Sequence, residues 1–398
     1  MAESAAVAGK MQKLDQKERA KAIPSSFLDL KAQYLPIKDE INAAIARVLE
    51  SQHFILGEEV AALEKEVAAF AGVAHAVACA SGSDALYLAL LASGVGHGDE
   101  VITTPFTFVA TAGSIARTGA RPVFVDIDPL TFNISAEEIA NAITPKTRAI
   151  IPVHLFGYPA DMAAILKIAE EHKLVVIEDA AQAIGSRHHE KQIGSLGTYG
   201  CFSFFPSKNL GCAGDGGMVT TQDPALADRL KLLRAHGSRK KYSYEIVGTN
   251  SRLDALQAAI LRVKLPHLST WTEGRRANAK RYGELFRRAS LEGRVKPPAP
   301  APGMYHVYNQ YVIRSPQRDA LRNHLTEAGI PTDVYYPHPL HTQPAFSYLG
   351  YGPGDFPESE RASREVLALP VYPELRPESQ EAIVEEIAKF YSQQQAKA

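Results

Sequence analysis

The sequence has few of the residues that mark secreted, metal-binding and membrane proteins. Its 398 residues include only three cysteines, Cys79, Cys201 and Cys212, and none of them forms a CxxC pair. An odd and scattered set argues against a disulfide scaffold and a zinc site, so we predict no bound metal and a reducing, cytoplasmic location. No run of about eighteen uncharged apolar residues occurs, which argues against a membrane span.

The sequence also lacks an excess of either charge. It has 43 Lys and Arg against 44 Asp and Glu, a formal net charge of −1. Without a basic excess, neither nucleic acid nor an anionic membrane is expected as a partner. Residues 1–24 mix charged residues and alanines without an apolar segment. We therefore expect a flexible N-terminal tail there and no signal peptide.

The chain does have enough apolar residues, 45%, to bury a sizeable core, and enough length for about two or three domains. Strand patterns alternate with amphipathic helix patterns up to about residue 181. The segments 148–155 and 174–180 are almost continuously apolar, which is typical of strands buried on both faces of a parallel sheet. We predict a large α/β domain over residues 25–252.

The pattern changes after residue 252. Residues 253–295 read as a long connecting helical segment, broken near Pro266, and are followed by the proline-rich stretch KPPAPAPG. A strand, a helix and further short elements come next. We predict a small C-terminal α+β domain over residues 296–398.

Three short stretches lie where ligands bind in parallel α/β domains, at the carboxyl ends of strands. In the first, SGSDAL, Gly82 and Ser83 open a helix directly after a strand. The free N–H groups and the dipole of such a helix suit a phosphate, although this stretch taken alone favours an ordinary N-cap serine.

In the second stretch, VVIEDAAQ, Glu178 and Asp179 end a very apolar strand and Gln182 follows. A partly desolvated acid needs a cationic partner, which could be a metal or the protonated ring nitrogen of a cofactor. No cluster with metal-ligand spacing lies nearby. A helix-capping aspartate is the alternative.

The third stretch is CFSFFPSKNLGCAGDGG. Ser203 can donate to a phosphate, and Lys208 can form a Schiff base if burial lowers the pKa of its amine. The following glycines let the backbone approach a bound ring. A phosphate cradle, a strand-end acid and a lysine in this order indicate a site for pyridoxal 5′-phosphate (PLP).

From residue 27 to residue 375 the sequence resembles the DegT/StrS-type nucleotide-sugar aminotransferases, members of the PLP-dependent transferase fold type I. The stretches that carry the resemblance include FILGEEV, SGSDAL, GDEVITTPFTFVATA, PVFVDID, VIEDAAQ, SFFPSKNLG, GDGGMV, NSRLDALQAAIL and YYPHPLHTQPAF. The resemblance implies a mostly parallel seven-stranded sheet between helices, and a small C-terminal domain.

The resemblance also implies the chemistry at the centre of the site. Lys208 would be the covalent anchor of PLP and the residue that moves the proton during transamination. Asp179 would pair with the ring nitrogen, and Gln182 would hydrogen-bond the ring oxygen. Related deoxysugar dehydratases carry histidine at the position of Lys208, so the lysine favours an aminotransferase over a dehydratase.

Further residues are assigned to the cofactor by the resemblance. Gly82, Ser83 and Ser203 would hold the phosphate, and Phe108 would stack on the ring. Asn250 would reach the phosphate of a neighbouring subunit, which implies a homodimer with shared active sites.

The expected substrates are L-glutamate and a nucleotide-linked keto sugar, most nearly a UDP-linked 3-keto-2-acetamido sugar. A dTDP-linked keto-deoxy sugar and a UDP-linked keto-hexuronate are the alternatives, as is a non-catalytic regulator from another class. Arg252 could hold a sugar carboxylate or the carboxylate of glutamate. His338, in the segment HPLHTQ, could contact the sugar or the diphosphate, and a purely structural histidine is the equal alternative. Tyr335 and Tyr336 lie where hexuronate relatives tend to carry histidine, which favours an uncharged sugar.

Overall fold

The computed structural model describes residues 23–24 and 26–397, apart from the side chains of residues 395–397. The flexible tail predicted for residues 1–24 lies outside the described residues except for Ile23 and Pro24. The strands are β1 His75–Cys79, β2 Glu100–Thr103, β3 Arg121–Phe124, β4 Thr147–Ile150, β5 Val175–Asp179, β6 Arg187–His188, β7 Lys191–Gln192, β8 Tyr199–Ser203, β9 Gly217–Thr221, β10 Ser238–Lys240, β11 Ser243–Tyr244, β12 Met304–Tyr305, β13 Tyr311–Arg314 and β14 Val366–Leu369. The helices are α1 Leu30–Tyr34, α2 Lys38–Ser51, α3 Glu58–Ala71, α4 Gly82–Ala92, α5 Ala110–Arg117, α6 Ala136–Ala142, α7 Met162–His172, α8 Pro224–Leu233, α9 Ala255–Lys264, α10 Leu268–Arg288, α11 Arg318–Glu327, α12 Pro357–Glu365 and α13 Pro377–Lys397.

Seven of these strands form one sheet in the order β1-β9-β8-β5-β4-β2-β3. Strand β9 is antiparallel to both of its neighbours, and the other six strands run in one direction. This confirms the mostly parallel seven-stranded sheet. Because the six strands share a direction, β1, β5 and β8 all end at the same edge of the sheet.

The sheet is a buried layer with a separate apolar core on each face. Successive residues of β5 show this: Val176 packs into one core with Ile102 and Ile150, whereas Ile177 packs into the other with Leu86. Alternate side chains of a strand point to opposite faces, so a strand covered on both sides has to be apolar throughout. The apolar runs in the sequence therefore arise, as predicted, because the strands are buried on both faces of the sheet.

Strand β4 is shorter than the apolar run 148–155 suggests, because it ends at Ile150. Pro152 has no N–H to give to the ladder, and prolines interrupt pairing for this reason. The chain nevertheless continues beside β5: the Pro152 carbonyl accepts from Asp179 N at 2.9 Å, and His154 N donates to the Asp179 carbonyl at 3.0 Å. The end of β5 is thus held by backbone bonds from a neighbouring loop.

The helical segment after residue 252 breaks where the sequence predicts it. Helix α9 ends at Lys264, a 3₁₀ turn covers Leu265–His267, and α10 begins at Leu268. The proline within the 3₁₀ turn explains the break, since it lacks the N–H that a continuous helix needs.

The C-terminal elements build a further core around α10, α11, α13 and the antiparallel pair β13–β14. Phe106 and Phe156, which belong to loops at the carboxyl edge of the large sheet, are part of the same core. The chain near Tyr335 and Tyr336 packs against this core and therefore lies close to that edge. The domain boundaries at residues 252 and 295 stay a prediction.

Candidate active site

Lys208 lies in the connection between β8 and β9, which spans residues 204–216. Its own N–H donates to the Phe205 carbonyl at 2.8 Å, which closes a tight turn over Pro206. The thiol of Cys212 donates to the Phe204 carbonyl at 2.9 Å and so fixes the returning chain. Burial lowers the pKa of the Lys208 amine to about 8, against the opposing charge of Asp179. A usable fraction of the amine is therefore neutral, as a nucleophile requires.

Asp179 ends β5 and is only 6% exposed. One carboxylate oxygen accepts from the Thr111 hydroxyl at 2.8 Å, and the other accepts from Ala181 N at 3.2 Å. Burial raises the pKa of this carboxyl, whereas these two hydrogen bonds and the charge of Lys208 lower it. A buried carboxylate with so few donors is well suited to pair with a cation in the site.

Gln182 lies in a turn after β5, where the sequence left open whether a helix had begun. Its side-chain carbonyl accepts from Phe156 N at 2.6 Å. This bond determines the orientation of the amide, because the NH₂ group has to face the opposite way. The NH₂ group donates to the Tyr336 hydroxyl at 3.2 Å. Gln182 thus presents a donor to the site, as an oxygen of a cofactor ring would need.

The residues expected at the phosphate lie against one another. Helix α4 begins at Gly82, and its N-cap is Ser81, whose hydroxyl accepts from Asp84 N at 3.1 Å. A Cβ on Gly82 would come within 2.6 Å of the Ser203 Cβ. The first turn of α4, which contains Ser83, therefore packs directly on the end of β8. The capping role considered for a serine here belongs to Ser81, which leaves Ser83 for a ligand.

Phe108 comes just before α5 and its side chain is 55% exposed, whereas Phe106 is fully buried. The ring centroid of Phe108 lies 6.3 Å from that of Tyr336. Because Tyr336 also bonds Gln182, the exposed Phe108 ring lies where it could stack on the ring of a bound cofactor. The resemblance chose Phe108 over Phe106, and the burial of the two rings favours the same choice.

The remaining predicted site residues are Asn250, Arg252, Tyr335 and His338, and no contact described above links them to Lys208, Asp179 or Gln182. Asn250 and His338 are exposed, and Tyr335 is partly buried. The Nε of Arg252 is buried without a hydrogen-bond partner in the described part of the chain, so its guanidinium has capacity for an anion. The roles of these four residues stay predictions, as does the reach of Asn250 into a second subunit.

Glu178 differs from Asp179 although the two are adjacent in the sequence. Its carboxylate is fully buried and accepts from His154 Nε2 at 3.1 Å and from three backbone N–H groups, those of Gly194, Leu196 and Gly197, at 2.7–2.9 Å. His154 Nδ1 accepts from Ala160 N, so the ring proton is on Nε2 and points to Glu178. Both side chains are satisfied within the fold and have a structural role.

Sequence reasoning missed Thr111. The residue lies inside the PFTFVATA stretch, but a single threonine has no local signature of a carboxylate partner. Only its position in the first turn of α5, at the same edge of the sheet as β5, could have suggested a contact with Asp179.

The arrangement as a whole fits PLP. Lys208 supplies an amine with a lowered pKa, Asp179 a carboxylate for a ring nitrogen, Gln182 a donor for a ring oxygen, and the start of α4 a phosphate cradle so tight that it needs glycine at residue 82. Among the described residues no group of three or more His, Cys, Asp and Glu could hold a metal ion. No helix in the described part of the chain is long and apolar enough to cross a membrane. The fold and the site define a PLP-dependent enzyme.

Comparison with known proteins specifies the family. Residues 36–388 match the model of the DegT/DnrJ/EryC1/StrS aminotransferase family, and the chain belongs to this family. Its members use PLP and share fold type I with this chain.

Similar proteins include a "Pleiotropic regulatory protein" of Geobacillus stearothermophilus, 55% identical over 92% of this chain and 98% of the relative. A UDP-N-acetyl-3-dehydro-α-D-glucosamine 3-aminotransferase of Acidithiobacillus ferrooxidans is 49% identical over 90% and 95%. Among solved structures, S. venezuelae DesV in complex with a ketimine intermediate has a TM-score of 0.88 and 44% identity, and the match covers 92% of this chain and 98% of that one.

Proposed function

We propose that this protein moves an amino group from L-glutamate to a nucleotide-linked keto sugar, and specifically to a UDP-linked 3-keto-2-acetamido sugar, in amino-sugar biosynthesis for the cell envelope. The observation that carries the proposal is Lys208, a buried lysine whose pKa burial lowers to about 8 and on which the charge of Asp179 acts. The similarity to the A. ferrooxidans enzyme, named for a UDP-linked 3-keto sugar, supports the substrate.

PLP, when bound, supplies an electron sink for the carbon that carries the amino group. Asp179 would hold the proton on the ring nitrogen and thereby keep the ring cationic. Gln182 would donate to the ring oxygen, and Gly82, Ser83 and Ser203 would hold the phosphate. These residues would together orient the ring towards Lys208.

Lys208 has two tasks in this proposal. Its amine would hold the cofactor, and once glutamate is bound the same amine would be free to act as a base. The freed amine is neutral in a usable fraction of molecules because burial lowers its pKa to about 8. It would take the proton from the amine-bearing carbon of the donor, which is general acid–base catalysis. With the keto sugar the same residue would deliver a proton to the carbon that receives the amine.

An uncharged sugar is favoured over a hexuronate. Tyr335 and Tyr336 have phenol groups, which carry no positive charge at any pH and so offer no cation to a sugar carboxylate, and burial raises both pKa values so that the groups stay neutral. We assign Arg252, whose buried Nε has no hydrogen-bond partner in the described part of the chain, to the carboxylate of glutamate. A dTDP-linked keto-deoxy sugar remains the alternative substrate.

A regulatory role is the second candidate, because the G. stearothermophilus relative is named as a regulator. A module that only binds would need neither a reactive amine nor a buried acid facing it. Lys208 and Asp179 together therefore favour the enzyme. A dehydratase is disfavoured by the lysine itself.

The experiment that tests the proposal uses the purified protein loaded with PLP. L-Glutamate should convert the bound cofactor to its amine form with release of 2-oxoglutarate. A panel of UDP- and dTDP-linked keto sugars, with NMR of the products, then identifies the sugar and the aminated carbon. Lys208→Ala should lose both half-reactions, and Lys231→Ala, an exposed lysine on α8, should keep them. A Lys208→Ala protein that still transfers the amine would overturn the proposal.

We also propose a cytoplasmic homodimer in which Asn250 completes the site of the partner. The exposed position of Asn250 supports this arrangement. Lys208→Ala and Asn250→Ala should each be inactive alone, and mixing them after dissociation should restore about a quarter of the wild-type activity, because half of the dimers gain one intact site. A mixture of Lys208→Ala and Asp179→Ala is the control. Each lesion stays in the site of its own subunit, so both sites of a mixed dimer are damaged and no activity should return.

A further inference from the structure

The Asp179 carboxylate depends on a single side-chain donor in the described part of the chain, and that donor is the hydroxyl of Thr111. The distance from Thr111 Oγ1 to the carboxylate is 2.8 Å. Thr111 is fully buried, and its hydroxyl also lies 3.0 Å from that of Thr107, which is itself buried. Water therefore has little access to the two threonine hydroxyls and the Asp179 carboxylate.

The donor and acceptor properties of these groups determine the direction of the two hydrogen bonds. An ionised carboxylate only accepts hydrogen bonds, so the Thr111 proton goes to Asp179. The Thr111 oxygen then accepts from Thr107, which makes the order Thr107 to Thr111 to Asp179. A hydroxyl that receives a hydrogen bond is a stronger donor, so Thr107 reinforces the bond to the carboxylate.

The use of this hydroxyl differs from that of its neighbours. Buried Ser and Thr hydroxyls commonly bond a backbone carbonyl. Thr103 does so at the Ile151 carbonyl, at 2.9 Å, and Ser114 does so at the Ser83 carbonyl, at 3.1 Å. Thr111 directs its proton to a carboxylate side chain from a different element instead.

Other charges near Asp179 do not replace this bond. Lys208 lies in its field but carries a full charge only below its lowered pKa, and His154 uses its proton on Glu178. Four titratable groups interact electrostatically with the Asp179 carboxylate: Lys208, His154, Tyr336 and Cys201. Burial disfavours the ionised carboxylate, so the Thr111 bond works against desolvation whenever Lys208 is neutral.

We propose that Thr111, reinforced by Thr107, is a positioning residue that keeps Asp179 ionised and aimed at the ring nitrogen of PLP. The proposal rests on the proposed function, in which Asp179 has that partner. Removing the hydroxyl leaves Asp179 more easily protonated, so the ring nitrogen loses its own proton at a lower pH. Thr111 thereby controls how strongly the cofactor withdraws electrons, without touching it.

The test measures cofactor binding and the state of the ring nitrogen, with no turnover needed. Thr111→Val keeps the shape and removes the donor, and Thr111→Ser keeps the donor. A hydrogen bond to a charged group is large enough that Thr111→Val should bind PLP about tenfold more weakly than wild type, and Thr111→Ser should restore most of the affinity. Inorganic phosphate, which does not reach Asp179, should bind all three proteins equally.

The ring nitrogen is read directly by ¹⁵N NMR of ring-labelled PLP over a pH series. Thr111→Val should lose the nitrogen proton at a lower pH than wild type, and Thr107→Val should show a smaller shift in the same direction. In an Asp179→Asn background, Thr111→Val should add no further loss of affinity, because the two residues act as one unit. If Thr111→Val does not fold, Thr111→Cys, a weak donor, carries the same measurements.

Unchanged PLP affinity and an unchanged ¹⁵N titration in Thr111→Val would overturn the inference, as would additive losses in the Asp179→Asn background. Wild-type protein that fails to bind PLP at all would instead overturn the proposed function. The two failures are therefore distinguishable.

Discussion

Replacing Gly82 with alanine adds one methyl group where the phosphate cradle has no room for it. The new Cβ would lie 2.6 Å from the Ser203 Cβ and 3.1 Å from the Ser203 Cα. Carbon atoms in contact are ordinarily about 3.5–4.0 Å apart, so the start of α4 and the end of β8 have to separate by about 1 Å. The Ser203 Oγ, at 3.0 Å, can rotate away, but the Ser203 Cβ and Cα cannot, so the backbone has to move.

That movement should weaken PLP binding strongly. A displacement of about 1 Å in a positioning group can cost about 100-fold in function, so we expect PLP affinity to fall by about 10- to 100-fold. Inorganic phosphate should weaken as well, because the cradle itself is opened. The assay is titration of the cofactor-free protein with each ligand, followed by calorimetry or quenching of protein fluorescence.

Gly283→Ala is the matched control. Gly283 lies within α10, and a Cβ there would meet nothing within 4 Å, so this change should leave both affinities unaltered and slightly favour the helix. Wild-type affinity in Gly82→Ala would refute the close-packed cradle. An equal loss in Gly283→Ala would show that the assay reports general damage to the fold.

Two further predictions concern Lys208 and Glu178. The rate at which cofactor-free protein captures PLP at Lys208, mapped after borohydride reduction, should rise with pH around a midpoint near 8, since only the neutral amine reacts and burial lowers its pKa to about 8. A midpoint near the ordinary lysine value of about 10.4 would contradict this. Glu178→Gln should lower the free energy of unfolding in urea by about 3 kcal/mol, because an amide cannot accept from all four donors that bond the buried carboxylate. The control Glu171→Gln changes an exposed residue and should leave the free energy of unfolding unaltered. An unaltered value in Glu178→Gln would show that Glu178 has no structural role.

The position of the candidate site follows from the sequence through one geometric rule. Strands that are apolar throughout form a parallel sheet, and the residues after such strands meet at its carboxyl edge. Gly82, Asp179 and Ser203 come together for this reason. Successive side chains of a strand point to opposite faces of the sheet, so Glu178 and Asp179 point in opposite directions. This explains why Asp179 lies on the side of Lys208 and Glu178 does not.

The details of the site come from contacts that no local pattern encodes. The orientation of Gln182 depends on the N–H of Phe156, a non-glycine residue with φ of 60° in a loop after β4. The partner on its other side, Tyr336, is 154 positions away in the chain. The bond from Thr111 to Asp179 spans 68 positions. Each depends on how whole elements pack, so the residue types could be read from the sequence and their hydrogen bonds could not.

The reversed strand β9 has a consequence for the order in which the protein can assemble. Among the described strands, β1 hydrogen-bonds only to β9, although β9 begins at Gly217 and β1 ends at Cys79. At a synthesis rate of about 5–20 residues per second, a nascent chain would wait roughly 7–28 s after making β1 before its neighbour exists. Helix α4 follows β1, and the Lys208 segment immediately precedes β9. Strand β1 can therefore complete its backbone pairing only after the Lys208 segment has been made.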